Sequence, residues 1–401
     1  MGSIDLSSLE ISGGHLEKVF KNQRFNELIG SYYEQYILET DSNSDVLEKK
    51  LDRLKDCNSF WSLDVYKKSK VKDFKKTNLC RDKFCNNCKR VKQAARMSRF
   101  MPHIDKVKND GYLLSQMVLT VPNVSGAELD VMISVMFRAF RALNDYLSLH
   151  NKINGVDFDI GYVGAIRSLE VTYKDDSYHP HLHVLIAHGK AIGAKKVHTN
   201  EYSYDRFNKE HLRLFSDFEI LIQKVWYLLI NDFLEVHNTP SKFEEVRINT
   251  RLGVYVTEKE IKPKRKRIVR SRLDKLSVGY SCMMDGFKEE DFIELFKYMT
   301  KGNGSEHKEE NAIMSYDNFK VLYVALHGVR QIQGYGIFYN VKDDDSLMNE
   351  AEKLYELVIE ELRKKEMPES VVETLQAILE DSTYTVISKS RLVSFIKNLL
   401  N

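Results

Sequence analysis

Tyr178-His179-Pro180-His181-Leu182-His183-Val184-Leu185-Ile186 decides how this chain folds. Three of the 12 histidines stand here at alternate positions, and an apolar run follows directly. Side chains two apart on a β-strand share a face. His179, His181 and His183 therefore line one face, and Leu182, Val184 and Ile186 line the other. A row of imidazoles is a poor core and a good cradle for a divalent metal.

Upstream, Tyr162 to Tyr173 (YVGAIRSLEVTY) has the apolar character of a partner strand, and Lys174-Asp175-Asp176-Ser177 is a turn. A turn centred between Asp175 and Asp176 sets Glu170 directly opposite His181, on the same face. Glu170, His181 and His183 could then hold one ion and leave positions open for phosphate oxygens. Carboxylate and open positions suit Mg²⁺ or Mn²⁺, and the imidazoles favour the transition metal. A three-histidine structural zinc is the competing assignment, although such sites usually close all four positions.

Working outward, Tyr112 to Val121 forms a buried strand stopped at Pro122-Asn123. Glu128 to His150 is an amphipathic helix, and a second follows from about Glu210 to Val236. Val246 to Thr257 suggests two short strands, Glu289 to Thr300 a short helix, and Val321 to Leu326 with Gln331 to Tyr339 a final strand pair. Helical patterns open the chain from His15 to Asp56. After Asp343-Asp344-Asp345, residues 346 to 401 have a charged helical pattern suited to docking or oligomerisation. The expected fold is α+β: an antiparallel central sheet flanked by helices, with an N-terminal Cys-rich, zinc-like element and a C-terminal helical region.

The bulk properties exclude little. The chain has 401 residues, a net charge of +2, 43% hydrophobic and 29% charged residues, which is ordinary for a soluble protein. No signal pattern and no apolar run of about 18 residues is seen, so a cytoplasmic protein without a membrane anchor is expected. In that setting the five cysteines argue for metal or thiol chemistry over disulfides. Cys80, Cys85 and Cys88, with Cys57 or else His103 as the fourth donor, have zinc-site spacing. Buried unligated thiols are the alternative. Lysines from Lys67 to Lys76, then Arg90 and Arg96 on the following helix, form one basic block. Lys264, Arg265, Lys266 and Arg267 form a second. Each suits a phosphate-facing surface, as it suits a merely solvated one.

The helix around Glu294-Leu295-Phe296-Lys297-Tyr298-Met299-Thr300-Lys301 places Glu294 and Tyr298 on one face, with Lys301 nearby. A tyrosine between a carboxylate and an ammonium has the surroundings of a nucleophile. Such spacing also fits an ordinary amphipathic helix with surface ion pairs.

HPHLHVLI with LEVTY upstream resembles the HUH motif of single-strand-cleaving DNA endonucleases. With CRDKFCNNC, VLTVPN, ELFKYMTK and VRQIQGYGIF, the set resembles the rolling-circle replication initiators (Rep proteins) of Gram-positive bacterial plasmids, across roughly Cys57 to Phe338. The resemblance implies an HUH endonuclease domain, placed over 111–340; the chain's own patterns set an N-terminal helical and Cys-rich region over 1–110 before it and a helical module over 341–401 after it. It implies His181 and His183 as metal ligands, with Glu170 as the third. Tyr298 would be the nucleophile that nicks one strand at the double-strand origin, leaving a 5′-phosphotyrosine link and a free 3′-OH. Glu294 would activate water at termination, and Lys301 would orient phosphate. Origin DNA, the host helicase and a homodimer are the implied partners. A transposase or mobilisation relaxase of the same superfamily fits the motifs too. A zinc-stabilised DNA-binding regulator without catalysis would account for the cysteine and basic blocks alone.

Overall fold

The structure is a computed structural model. It describes residues 13–40, 44–55, 57, 60–66, 71–77, 80–85, 88, 99–100, 102–195, 197–198, 214–251, 253–287, 314–341 and 385–388. These belong to two compact units, Met1–Pro102 with Asp343–Asn401, and His103–Lys342.

In the first unit, α1 (Gly13–Glu39) packs on α2 (Ser44–Lys55), burying Ile29 and Tyr33 against Leu47, Leu51 and Leu54. Strands β1 (Phe60–Tyr66) and β2 (Val71–Thr77) pair antiparallel, and β12 (Thr385–Ser388) pairs with β1 on its other edge. The described part of the C-terminal region is thus a strand, within a segment whose sequence pattern is helical.

The second unit is built on a five-stranded antiparallel sheet. Its strands are β3 (Leu113–Thr120), β4 (Tyr162–Lys174), β5 (Ser177–His188), β10 (Cys282–Gly286) and β11 (Ile332–Gly336), in the order β10-β3-β5-β4-β11. The hairpin β4–β5 lies at the centre because both strands are apolar enough to be covered on both faces. Ile166, Leu169, Leu182, Val184, Leu185 and Ile186 are all fully buried. Asp175 turns the hairpin at φ 52°, a conformation that Asp tolerates better than most residues.

Two long helices, α3 (Leu129–Leu147) and α4 (Asp217–Asn238), pack on each other and on the sheet. α4 starts where a capping box demands it. The Ser216 hydroxyl accepts from Glu219 N at 3.2 Å while the Glu219 carboxylate takes Ser216 N at 2.7 Å. The Glu219 carboxylate also accepts from Met284 N at 2.7 Å, which ties α4 to edge strand β10. Between these elements lie two two-stranded ribbons, β6 (Val197–His198) with β7 (Leu214–Phe215), and β8 (Lys242–Thr250) with β9 (Gly253–Ile261), then the short α5 (Arg270–Asp274).

The segment Val321–Leu326, expected as a strand, is instead the end of helix α6 (Tyr316–Ala325). Ser315 caps it, accepting from Asn318 N at 3.2 Å, and Phe319, Leu322 and Ala325 recur every three residues on its buried side. A continuous apolar run carries both periodicities, and the cap settles which one is used. The expected helix over 289–300 lies outside the described residues.

Candidate metal centre

The hairpin register places Glu170 opposite His181 and Ser168 opposite His183, while β3 sets Thr120 beside His181 on the other side. Glu170 is buried, and the imidazoles of His181 and His183 are mostly buried. One oxygen, Glu170 Oε2, lies 3.0 Å from His181 Nε2 and 2.7 Å from His183 Nε2. The three donor atoms stand within 4.8 Å of one another. Cis ligands about 2.1 Å from one ion stand about 3 Å apart, so this spacing fits a shared first-row cation.

Hydrogen bonding makes the same demand. His181 Nδ1 is 3.2 Å from the backbone carbonyl of His179. A carbonyl only accepts, so Nδ1 carries the proton, and in the neutral ring Nε2 presents a lone pair to Glu170. Two acceptors facing each other at 3.0 Å need a cation between them, a proton or a metal ion. The carbonyl plays the part that orients a metal-bound histidine. Burial alone would push the Glu170 carboxyl up. The hydrogen bonds and charges of His181 and His183 override it and hold Glu170 well below the usual carboxylate range. His179 stacks beside this group, its ring 5.3 Å from that of His181, and supplies its carbonyl rather than its side chain.

The end of the hairpin is anchored from both sides. Tyr178 and Val124 exchange two backbone hydrogen bonds of 2.8 Å, and Gly126 N donates to Asp176 Oδ1 at 3.0 Å. The Tyr178 hydroxyl donates to Asn318 Oδ1 on α6 at 2.5 Å. From α4, Trp226 Nε1 donates to the carbonyl of Thr120 at 2.8 Å. The row Thr120–His181–Glu170 is therefore held by two helices as well as by the sheet ladder.

In the first unit, Cys57, Cys80, Cys85 and Cys88 converge in one buried group. Cys57 Sγ is 3.5 Å from Cys85 and 3.6 Å from Cys88, and Cys80 is 3.5 Å from Cys88. Sulfurs around one tetrahedral zinc stand about 3.8 Å apart, so the four thiols fit that ion. Arg81 N donates to Cys88 Sγ at 3.2 Å and Asp82 N to Cys80 Sγ at 3.4 Å, and both bonds favour thiolate. Hydrogen bonds from Cys57, Cys80 and Cys88 hold the Cys85 thiol well below its usual range, against its burial. Asp82 joins this loop to both helices. It accepts from the Tyr33 hydroxyl at 2.7 Å and from Phe84 N at 2.8 Å, and pairs with Lys50 at 3.1 Å. Cys57 is the fourth donor, and His103 is not part of the group.

Of the second basic block, Lys264, Lys266 and Arg267 are exposed. Lys266 Nζ is engaged by the Glu235 carboxylate at 2.6 and 2.7 Å, and the Arg265 guanidinium lies 5.5 Å over the Phe233 ring. Tyr298, Glu294, Lys301, Arg90 and Arg96 lie outside the described residues. Among the described helices none is long and apolar enough to cross a membrane.

An antiparallel sheet carrying a Glu-His-His group that could hold a cation, with a four-cysteine group elsewhere in the chain, agrees with the fold that the resemblance to Rep proteins implies. Residues 71–198 match the replication protein family, a span that includes Cys80, Cys85, Cys88, Glu170, His181 and His183. The chain is 29% identical over 187 residues to the protein rep of Staphylococcus aureus, covering 45% of this chain and 73% of that one. It is 28% identical over 171 residues to the protein rep of Bacillus amyloliquefaciens, covering 41% of this chain and 46% of that one. To the protein rep of Streptococcus pneumoniae serotype 2 it is 32% identical over 112 residues, covering 27% and 32%. The chain thus spans less than half the length of the latter two. No solved structure matches it. Its residues 71–198 are thus similar to the replication protein family, and the chain is similar to Rep proteins of Gram-positive bacteria, in line with the resemblance of its motifs.

Proposed function

We propose that this protein initiates rolling-circle replication of a plasmid by nicking one strand at the double-strand origin. The observation that carries the reading is the Glu170 oxygen shared between His181 and His183 at 3.0 and 2.7 Å. Mn²⁺ or Mg²⁺ held by these three residues would polarise the scissile phosphate and stabilise charge on its oxygens. The Tyr298 hydroxyl is the proposed nucleophile, forming a bond to the 5′-phosphate as the 3′-oxygen departs. Lys301 is proposed to orient the phosphate, and Glu294 to activate water when the strand is released at termination. The nicking domain is assigned to residues 111–340. Zn²⁺ in the Cys57-Cys80-Cys85-Cys88 group is given a structural role, since four thiolates leave no open position for chemistry. Origin DNA is the proposed substrate, with Lys264, Arg265, Lys266, Arg267, Arg90 and Arg96 as proposed contacts; the host helicase and a second copy of the chain are proposed partners.

The test is cleavage of a labelled single-stranded origin oligonucleotide in the presence of Mn²⁺. His181→Ala combined with His183→Ala should abolish cleavage while the protein remains folded. Cleavage that survives EDTA in the wild type would overturn the metal assignment.

A further inference from the structure

On the sheet face away from Glu170, His181 and His183, five arginines lie near one another: Arg138, Arg141, Arg167, Arg265 and Arg330. Arg167 is three residues from Glu170 on β4, so its side chain leaves the opposite face. It is 1% exposed, and its guanidinium lies 3.6 Å over the Phe137 ring of α3. Its Nη2 donates to the Arg330 carbonyl at 3.2 Å and to Gln333 Oε1 at 3.4 Å. Its Nε and Nη1 are buried and make no hydrogen bond among the described residues. Burial lowers its affinity for a proton, as do the nearby charges of Arg141 and Arg330, while the Tyr335 hydroxyl opposes them. A guanidinium that is buried, half satisfied and flanked by two more cations needs an external explanation.

The surroundings supply one. Arg141 and Arg138 lie at i and i−3 on α3, both exposed, as is Arg330. Arg138 sits 4.6 Å over the Phe233 ring of α4, and Arg265 sits over the same ring at 5.5 Å. Cation–π contact with Phe137 and Phe233 holds three of the guanidiniums beside aromatic rings. Among the described residues none of the five makes an ion pair. On α3 the nearest acidic side chain in sequence is Asp145, four residues from Arg141, and on α4 Glu235 is taken by Lys266. In a chain whose net charge is only +2, this is a concentrated, pre-oriented set of anion donors.

We propose that the exposed Arg138, Arg141 and Arg330, with the half-buried Arg265 beside them and the buried Arg167 behind them, form a second nucleic-acid surface, which grips backbone phosphates of duplex DNA away from the cleavage site. The proposal rests on the replication reading for its choice of polyanion. The α3–α4 layer that carries it covers the face opposite Glu170, His181 and His183, so its duplex segment is separate from the strand presented to the metal. Of its residues only Arg265 belongs to the basic run Lys264–Arg267, and the others are scattered from position 138 to 330.

The test measures binding of the full chain to a random-sequence duplex of about 30 base pairs, across a salt series, without divalent metal. Backbone contacts are independent of sequence, and each phosphate partner removed makes the log K against log salt slope shallower by about 0.9. Arg138→Ala, Arg141→Ala and Arg330→Ala combined should flatten the slope by roughly 3, with an unchanged melting temperature. The corresponding triple lysine variant should restore the slope, since charge is kept. A triple alanine variant that is folded and has the wild-type slope would overturn the surface. No cleavage occurs in this assay, so that result would leave the nicking proposal standing, and failure of nicking would leave the slopes unaffected.

Discussion

Replacing Glu170 with glutamine separates what the carboxylate does from the space it fills. The amide is nearly isosteric, but it has one acceptor oxygen where the carboxylate has two, and no charge. In the structure Glu170 Oε2 serves His181 and His183 together, so at least one charge-assisted hydrogen bond is broken. Such bonds are worth about 1.5–3 kcal/mol each. A unit of this size shifts by about 2–4 °C per kcal/mol, so the metal-free melting temperature should fall by about 3–12 °C. The effect on metal should be larger. Loss of a group that only orients a ligand lowers affinity by about 10–100-fold, and Glu170 is assigned as a ligand itself, so Mn²⁺ affinity should fall by at least about 100-fold. Calorimetric titration with Mn²⁺ and a metal-free thermal melt measure the two effects separately. Unchanged Mn²⁺ affinity in a folded Glu170→Gln protein would refute the reasoning, because the carboxylate would then be a structural partner of two histidines and nothing more.

Other expectations follow from the same geometry. Metal analysis should find zinc in the purified wild type and none in Cys88→Ser, whose first unit should also melt at a lower temperature, since Cys88 touches both Cys57 and Cys80. Asp82→Ala should destabilise that unit by about 3 kcal/mol, the low end for a broken buried pair because Lys50 is partly exposed, as read by denaturant unfolding. Trp226→Phe should cost about 1–3 kcal/mol by stranding the Thr120 carbonyl, and should weaken Mn²⁺ binding by loosening the strand end beside His181. Glu294→Ala should keep the first nick and impair strand release, seen as accumulated covalent adduct at termination.

The grouping of Glu170, His181 and His183 was legible because local rules specify it. A two-residue turn fixes register, and register fixes which side chains face each other, so Glu170 opposite His181 followed from Asp175-Asp176 alone. The cysteine group was legible for Cys80, Cys85 and Cys88 by spacing. Cys57 was harder to assign, because 22 residues that include strands β1 and β2 separate it from Cys80 and only tertiary folding closes the gap. The helix at 316–325 was misread because Val321 to Leu326 is apolar without interruption, and the deciding signal was one cap at Ser315. The arginine surface was invisible because α3, β4 and β11 bring together residues that no window of sequence contains. Tyr298 rests on its motif, and the described residues do not include it.

The central claim is that Tyr298 attacks DNA at a phosphate held by the metal on Glu170, His181 and His183. Its most direct test is mass-spectrometric mapping of the residue that becomes linked to a labelled single-stranded origin oligonucleotide in Mn²⁺. The account predicts a 5′-phosphotyrosine on Tyr298, absent from Tyr298→Phe although that variant still binds the oligonucleotide. An adduct on another tyrosine, or undiminished adduct in Tyr298→Phe, would contradict it.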